Sequence, residues 1–213
     1  MMSVREILAI SPVMPVIVLD RVDDAVPLAN ALVSGGIRVL EVTMRTPAAL
    51  DGVRAVCAAV PDAIVGVGTI VSIADMDAAQ AAGAKFGVSP GATPELLSHS
   101  ISSGFPFLPG TMTPSDVMRA LDAGFTTMKL FPAKQAGGVE MLKAIGGPLP
   151  QALFCPTGGI NAESAPSYLA LANVACVGGS WLSPASLIAR KDWTGIQRRA
   201  AEAATLSQYR TIR

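Results

Sequence analysis

Eight short apolar runs recur along the chain, and helical segments separate most of them. The runs occupy residues 13–19, 39–44, 63–68, 86–89, 105–108, 127–131, 153–156 and 174–177. Most are continuously apolar rather than alternating, which is typical of parallel strands that are covered on both faces. The pattern therefore predicts eight buried strands joined by helices.

The boundaries of the helical segments repeat as regularly as the strands. The pairs Thr46-Pro47, Thr93-Pro94 and Thr113-Pro114 each offer an N-cap followed by a proline at the first helical position. Ser72 and Asp75 have the spacing of a capping box. Glycines at positions 35, 36, 83, 104 and 124 stand just before predicted strands, where they suit the left-handed ends of helices.

The repeat of strand, loop, helix and glycine predicts an α/β fold, a single-domain (β/α)₈ or TIM barrel over residues 1–213. The main alternative is a doubly wound open sheet. Against its dinucleotide-binding form, Gly66-Val67-Gly68 is not followed by the third glycine of the fingerprint. No linker or low-complexity segment suggests a second domain.

Composition narrows the function classes. The 213 residues are 51% hydrophobic and 15% charged, with a net charge of zero, which suits a large core and disfavours a nucleic-acid surface or a membrane-binding patch. The apolar run near the N-terminus is interrupted by Pro12 and Pro15, so we expect no signal peptide, no membrane span and a cytoplasmic location.

Cysteine and histidine usage adds two expectations. The three cysteines are widely spaced in apolar contexts, which indicates reduced, buried thiols. The single histidine, His99, disfavours a zinc site, although composition leaves open a magnesium or manganese site built from oxygen ligands.

One predicted strand carries an isolated charge. Lys129 lies in the middle of the run 127–131, on the same face as Thr127 and Phe131. Burying an ammonium group is costly, so a buried lysine tends to lose its proton, and only the neutral amine attacks a carbonyl to form a Schiff base. The alternative is a lysine that reaches water or pairs with a carboxylate.

A second predicted strand also carries charges at a period of two. Glu41, Thr43 and Arg45 should all face the barrel interior. An inward glutamate suits acid/base chemistry, whereas a Glu–Arg pair that only fixes packing is the alternative. With Lys129, two of the predicted barrel strands carry inward charges, and this favours a functional role.

Glycine-rich loops follow several strands. Gly66 and Gly68 are expected either to let a ligand approach the backbone or to form a tight turn, with Thr69 as a hydrogen-bond donor. Paired glycines follow the last two strands, at Gly158-Gly159 and Gly178-Gly179. Exposed amides ahead of a helix suit a phosphate, and barrels often bind phosphate at these two strands.

Together, these stretches resemble the family of 2-keto-3-deoxy-6-phosphogluconate (KDPG) and 4-hydroxy-2-oxoglutarate (KHG) aldolases. The resemblance runs in order from about residue 13 to residue 182. It rests on Pro-Val-Ile-Val, Arg-Val-Leu-Glu-Val-Thr-Met-Arg-Thr, Ala-Ile-Val-Gly-Val-Gly-Thr, Val-Ser-Pro-Gly, Lys-Leu-Phe-Pro-Ala, Phe-Cys-Pro-Thr-Gly-Gly-Ile and Gly-Gly-Ser-Trp-Leu. The loop at 112–114 matches less well.

The resemblance implies a class I lyase that needs no metal or cofactor, acts on a small keto-acid phosphate and forms a homotrimer. It makes Lys129 the Schiff-base residue and Glu41 the general acid/base. It assigns the substrate carboxylate to Arg45 and Thr69 and makes Phe131 part of the pocket. The phosphate would lie against Gly158, Gly159, Gly179 and Ser180.

Three alternatives remain at this stage. The first is an aldolase for the galactonate-derived epimer at C4. The second is a phosphosugar isomerase or epimerase, which would use the phosphate glycines but has no need of a Schiff base at Lys129. The third is a non-catalytic barrel, against which the cost of burying Glu41, Arg45 and Lys129 argues.

Overall fold

Parallel strands form the centre of the structure, a computed structural model that describes residues 2–211. The strands are β1 (Val13–Ile17), β2 (Val39–Thr43), β3 (Ile64–Gly68), β4 (Phe86–Val88), β5 (Phe107–Leu108), β6 (Gly110–Thr111), β7 (Thr127–Leu130), β8 (Leu153–Pro156) and β9 (Val177–Gly179). One sheet has the order β5-β4-β3-β2-β1-β9 and the other the order β6-β7-β8. Every pair is parallel, so the carboxyl ends of the strands share one edge.

Helices connect the strands and cover the outer face of the curled sheet. They are α1 (Val4–Ile10), α2 (Ala25–Ser34), α3 (Ala49–Ala59), α4 (Ile73–Ala81), α5 (Pro94–Ser103), α6 (Pro114–Asp122), α7 (Gly138–Gly146), α8 (Ala165–Leu169), α9 (Ala185–Ala189) and α10 (Trp193–Ala204), with short 3₁₀ turns at Val22–Asp24 and Thr205–Tyr209. The predicted α/β class with parallel strands is confirmed. None of the helices within residues 2–211 combines the length and the hydrophobicity that a membrane span requires.

The core has two layers, one on each face of the strands. The outer layer packs strand residues such as Val42 and Met128 against the helices. The inner layer is formed by strand side chains that point to the other face. They include Met14, Phe86 and Cys155, which pack with Ile7 and Leu8 of α1. Because Ile7 and Leu8 are each only 1% exposed, α1 covers the amino-terminal end of this inner layer.

Most of the predicted helix starts are confirmed, and one is wrong. The side chains of Thr93 and Thr113 cap α5 and α6, and Ser72 caps α4 with the expected capping box. Thr46 does not cap α3, which begins at Ala49 without a side-chain cap. Its hydroxyl instead donates to the carbonyl oxygen of Leu19, a contact made across 27 residues that local pattern does not reveal.

Two strand predictions also need correction. The predicted run 105–108 is shorter in the structure, and a further short strand, β6, begins immediately after Pro109. The last strand lies at 177–179 rather than at 174–177, because Gly178 and Gly179 pair with Met14 and Pro15 of β1 instead of forming a turn. Val174 makes only an isolated bridge to Phe154.

Candidate active site

A buried pair of opposite charges joins the two sheets. Lys129, the third residue of β7, places its Nζ atom 3.2 Å from Oε1 of Glu41 on β2. The side chains are 6% and 1% exposed, whereas every other ion pair in the described part of the chain has at least one exposed partner. Removing one member of such a pair leaves an uncompensated buried charge, so the pair holds its geometry firmly.

Strand pairing fixes the position of each member. Lys129 lies between Gly110 and Cys155 in the register of its sheet, and its backbone amide donates to Pro109 at 2.8 Å. Its neighbours Met128 and Leu130 point into the outer core, as strand alternation predicts. Glu41 lies between Val16 and Gly66 on β1 and β3. Both charges therefore come from the middle of well-paired strands rather than from loops.

The carboxylate of Glu41 has one free oxygen. Its Oε1 atom accepts a hydrogen bond from Lys129, whereas its Oε2 atom is buried and has no hydrogen-bond partner within residues 2–211. A buried polar atom left without a hydrogen-bond partner costs about 1–3 kcal/mol, and the cost is higher when the group is charged. This oxygen is therefore ready to accept a proton or a hydrogen bond from a bound molecule.

A cavity of about 470 Å³ opens at the carboxyl ends of β1, β8 and β9, and neither Lys129 nor Glu41 is among the residues that line it. Phe131 is one of its walls, and the ring centroid of Phe131 lies 5.2 Å from the Nζ atom of Lys129. Two other cavities, of 480 and 460 Å³, include residues of α1 or its N-terminal flank and none of the residues predicted for the active site. The cavity beside Lys129 is thus the candidate site.

Most of the residues singled out from the sequence line this cavity. They are Arg45, Phe131, Gly158, Gly159, Gly179 and Ser180. Arg45, predicted to face the barrel interior, is instead exposed beyond the end of β2. Among the described residues that line the cavity it is the only charged one, so the cavity favours an anion. Gly158 and Gly159 adopt positive φ angles of 106° and 73°, a region that residues with a Cβ atom rarely enter.

The structure does not place Thr69 in the wall of this cavity. Thr69 follows β3 directly, is partly buried, and has a φ angle of 68°. A β-branched residue in this left-handed region is strained, and strain of this kind often accompanies functional sites. Thr69 thus lies next to the carboxyl end of β3 but outside the wall of the cavity.

Two glycines of β3, Gly66 and Gly68, leave space for neighbouring side chains of the protein. A Cβ atom on Gly66 would meet the ring of Phe86, and a Cβ atom on Gly68 would meet the carboxylate of Glu41. These glycines make room for protein side chains, a role that the sequence did not indicate. Gly68 in particular creates the space in which the Glu41 carboxylate lies.

Three side chains of the cavity wall that carry polar atoms were not predicted from the sequence. Thr157 follows β8 and is buried, Trp181 lays its ring over Gly179, and Ser183 follows two residues later. Thr157 and Trp181 belong to motifs that the sequence analysis identified. No local pattern, however, predicts that either side chain points into the cavity. Ser183 lies outside those motifs.

We expect Gly68→Ala to reduce activity by about 10- to 100-fold, because an added Cβ atom would lie 2.8 Å from Cγ and Cδ of Glu41 and push its carboxylate away from Lys129. Thermal unfolding followed by circular dichroism should show a folded protein. Gly91→Ala is the matched control, since a Cβ atom there meets no atom within 4 Å. Equal activity in both variants would contradict the role assigned to Gly68.

A potential metal site has little support from the arrangement of side chains. Among residues 2–211, no three histidine, cysteine, aspartate or glutamate side chains lie close enough together to hold a metal ion. The chemistry that this site offers from its own side chains is that of an amine paired with a carboxylate, beside an anion-binding cavity.

Comparisons with known proteins agree with this chemistry. Residues 4–199 match the family model described as KDPG and KHG aldolase. The chain is 48% identical to the 2-dehydro-3-deoxy-phosphogluconate aldolase of Pseudoalteromonas atlantica and 47% identical to the KHG/KDPG aldolase of Escherichia coli K12, with 94% of each chain covered in both comparisons.

A solved structure is similarly close. The chain superposes on the KDPG aldolase of Legionella pneumophila with a TM-score of 0.92 and 46% identity, over 94% of this chain and 97% of that one. The Legionella protein was captured with pyruvate as a covalent carbinolamine intermediate. A carbinolamine forms when an amine attacks a carbonyl, which is the chemistry expected of a Schiff-base lysine.

Proposed function

Because the chain belongs to the KDPG and KHG aldolase family, we propose that it cleaves 2-dehydro-3-deoxy-6-phosphogluconate into pyruvate and D-glyceraldehyde 3-phosphate through a Schiff base on Lys129. The single observation that carries the proposal is the buried pair of Lys129 and Glu41 at 3.2 Å, next to the cavity. The names of the relatives also support cleavage of 4-hydroxy-2-oxoglutarate to pyruvate and glyoxylate.

The first half of the reaction builds an electron sink. Glu41 takes a proton from the paired Lys129, and the resulting amine attacks the C2 ketone and forms a carbinolamine. Loss of the C2 hydroxyl as water leaves an iminium ion, and Glu41 supplies and removes the protons that these steps require. The Oε1 contact to Nζ gives Glu41 a direct path to the nitrogen.

The second half breaks the carbon–carbon bond. The free Oε2 atom of Glu41 takes the proton of the C4 hydroxyl, directly or through water, and C4 leaves as the aldehyde of glyceraldehyde 3-phosphate. The electron pair of the C3–C4 bond moves into the iminium and gives an enamine. Protonation of the enamine at C3 and hydrolysis then release pyruvate and restore Lys129.

Groups in the cavity wall suit the two charged groups of the substrate. The guanidinium group of Arg45 suits the C1 carboxylate, because its planar fork can donate two parallel hydrogen bonds. Thr69, which follows β3, is proposed as a second donor to this carboxylate. The positive φ loop of Gly158 and Gly159, with Gly179 and Ser180, suits the C6 phosphate.

We extend the proposal to the architecture. Only Pro109 separates β5 from β6, and these two strands pair with β4 and β7 respectively. Two isolated parallel bridges, Phe154 to Val174 and Thr157 to Gly178, connect β8 with the β9 region. These contacts support closure of the two sheets into a single-domain (β/α)₈ barrel over residues 1–213, with β5 and β6 as one interrupted strand. Family membership also supports a homotrimer, which light scattering in solution would test.

Covalent trapping tests the proposed function directly. We expect incubation with pyruvate and sodium borohydride to add one reduced pyruvate to the intact protein, and peptide mapping to place it on Lys129, since borohydride reduces the iminium to a stable secondary amine. An adduct on Lys85, Lys134 or Lys143 would instead assign the Schiff base to that lysine. Cleavage without any adduct, lost to a chelator and restored by Mg²⁺, would instead indicate a metal-dependent aldolase.

Stereochemistry at C4 separates the proposed substrate from its epimer. Turnover of 2-dehydro-3-deoxy-6-phosphogluconate should exceed that of 2-dehydro-3-deoxy-6-phosphogalactonate, because the relatives at 47–48% identity are named for the gluconate compound or its family. Faster turnover of the galactonate compound would reverse this assignment and leave the Schiff-base mechanism unchanged.

A further inference from the structure

A serine hydroxyl in the cavity wall has no role in the mechanism described above. Ser183 follows β9, and its backbone amide donates to the carbonyl oxygen of Ser180 at 3.3 Å, so the two serines lie in one turn. Ser183 is 6% exposed and belongs to the wall of the 470 Å³ cavity. Its Oγ atom is buried and finds no hydrogen-bond partner among residues 2–211.

An unpartnered buried hydroxyl is unusual and unfavourable. The large majority of buried side-chain polar atoms in proteins are hydrogen-bonded, and leaving one unsatisfied costs about 1–3 kcal/mol. Alanine would fill the same position without this cost. A serine there is explained if the hydroxyl gains a partner when the cavity is occupied.

The surroundings indicate the charge of that partner. The lining residues include Arg45 and no aspartate or glutamate, so the occupant near Ser183 is an anion rather than a cation. A serine hydroxyl has three staggered orientations about χ1 and can donate one hydrogen bond. The Ser183 hydroxyl is buried in the structure. Rotation about χ1 lets it face the cavity when an anion is bound.

We propose that Ser183 donates a hydrogen bond to the phosphate of the substrate and thereby favours phosphorylated keto acids over unphosphorylated ones. The inference rests on the proposed function, since it assigns Ser183 to the phosphate end of the same site. The position in one turn with Ser180 places the hydroxyl beside the residues proposed to bind the phosphate. A hydrogen bond to a charged acceptor is stronger than a neutral one, and here it also relieves the unsatisfied hydroxyl.

The test compares Ser183→Ala with Ser186→Ala, a substitution at an exposed serine of α9 outside the cavity wall. For Ser183→Ala we expect the KM of the phosphorylated substrate and the inhibition constant of inorganic phosphate to rise about tenfold, which corresponds to about 1.4 kcal/mol. The kcat/KM for 4-hydroxy-2-oxoglutarate should stay within about twofold of wild type. Ser186→Ala should change none of these quantities.

Thermal unfolding gives a readout that does not depend on activity. Without ligand, Ser183→Ala should be at least as stable as wild type, because the unsatisfied hydroxyl is gone; with inorganic phosphate, its Tm should rise less than that of wild type. An unchanged response to phosphate would overturn the proposal and leave Ser183 as a purely structural residue. Equal losses on phosphorylated and unphosphorylated substrates would overturn it as well.

Failure of the proposed function gives a different pattern. If pyruvate and borohydride leave wild-type protein unmodified and no substrate is cleaved, the aldolase proposal fails. The change in Tm on adding phosphate, compared between wild type and Ser183→Ala, still tests whether the Ser183 hydroxyl binds phosphate. If trapping succeeds and the phosphate response is the same in both proteins, only the inference about Ser183 fails.

Discussion

Replacing Lys129 by alanine should reduce cleavage by at least about 10⁴-fold and abolish trapping of pyruvate, because no other amine lies beside Glu41 in the described site. The variant loses the covalent intermediate itself, whereas the anion-binding wall of the cavity remains. Steady-state turnover and the mass of the borohydride-treated protein measure the two effects separately.

The matched control is Lys134→Ala. Lys134 is an exposed lysine five residues further along the chain, and its side chain lies close to Gly159 of the cavity wall. This control removes a nearby positive charge and keeps the proposed nucleophile, so it should retain full trapping. Turnover close to wild type in Lys129→Ala, or an adduct that persists there, would refute the role of Lys129.

Loss of activity through unfolding has to be separated from loss of the nucleophile. Lys129→Met leaves the Glu41 carboxylate buried without its cation, and we expect a loss of about 3–5 kcal/mol in the free energy of unfolding. The double variant Lys129→Met with Glu41→Gln removes both charges and should recover much of this stability. Denaturant unfolding of a stable but inactive double variant would show that the pair is retained for chemistry.

Replacing Glu41 by glutamine should slow the reaction by about 10²–10⁴-fold and leave substrate binding nearly unchanged. The amide oxygen can still accept the hydrogen bond from Lys129, so the shape of the site is kept. The amide group cannot take a proton from the C4 hydroxyl or pass one to the nitrogen. Values of kcat and KM, together with slower trapping of pyruvate, measure this separation.

Glu140→Gln is the matched surface control for Glu41. Glu140 is an exposed glutamate of α7 that pairs with Lys143, and its replacement should leave both kinetic constants unchanged. A loss of less than tenfold in Glu41→Gln would point to another base. A large rise in KM with little change in kcat would mean that Glu41 acts in binding.

Local pattern was sufficient to indicate the class of fold and the two central charges. The continuous apolar runs predicted parallel strands, and alternation along 127–131 and 39–44 placed Lys129 and Glu41 on the same inner face. These predictions succeeded because both rest on a strand period of two and on the cost of burying a charge. Neither requires knowledge of which strands are neighbours.

Predictions that depended on contacts between distant segments were less successful. Thr46 has the sequence signature of a cap, but the carbonyl oxygen of Leu19 competes for its hydroxyl. Gly68 resembles a ligand-binding glycine, yet the carboxylate of Glu41 occupies the space beside it. Ser183 gives no sequence signal, because the lack of a hydrogen-bond partner is a property of the folded surroundings alone.

The contact between Glu41 and Lys129 joins residues 88 positions apart in the chain and two different sheets. Contacts of such long sequence separation form slowly, because the loop entropy is lost before the contact offers any stabilisation. In a refolding experiment, the ellipticity of helices such as α4 and α6, which carry their own capping boxes, should recover before catalytic turnover does. Activity is therefore a probe of the last step of assembly, in which the two sheets meet.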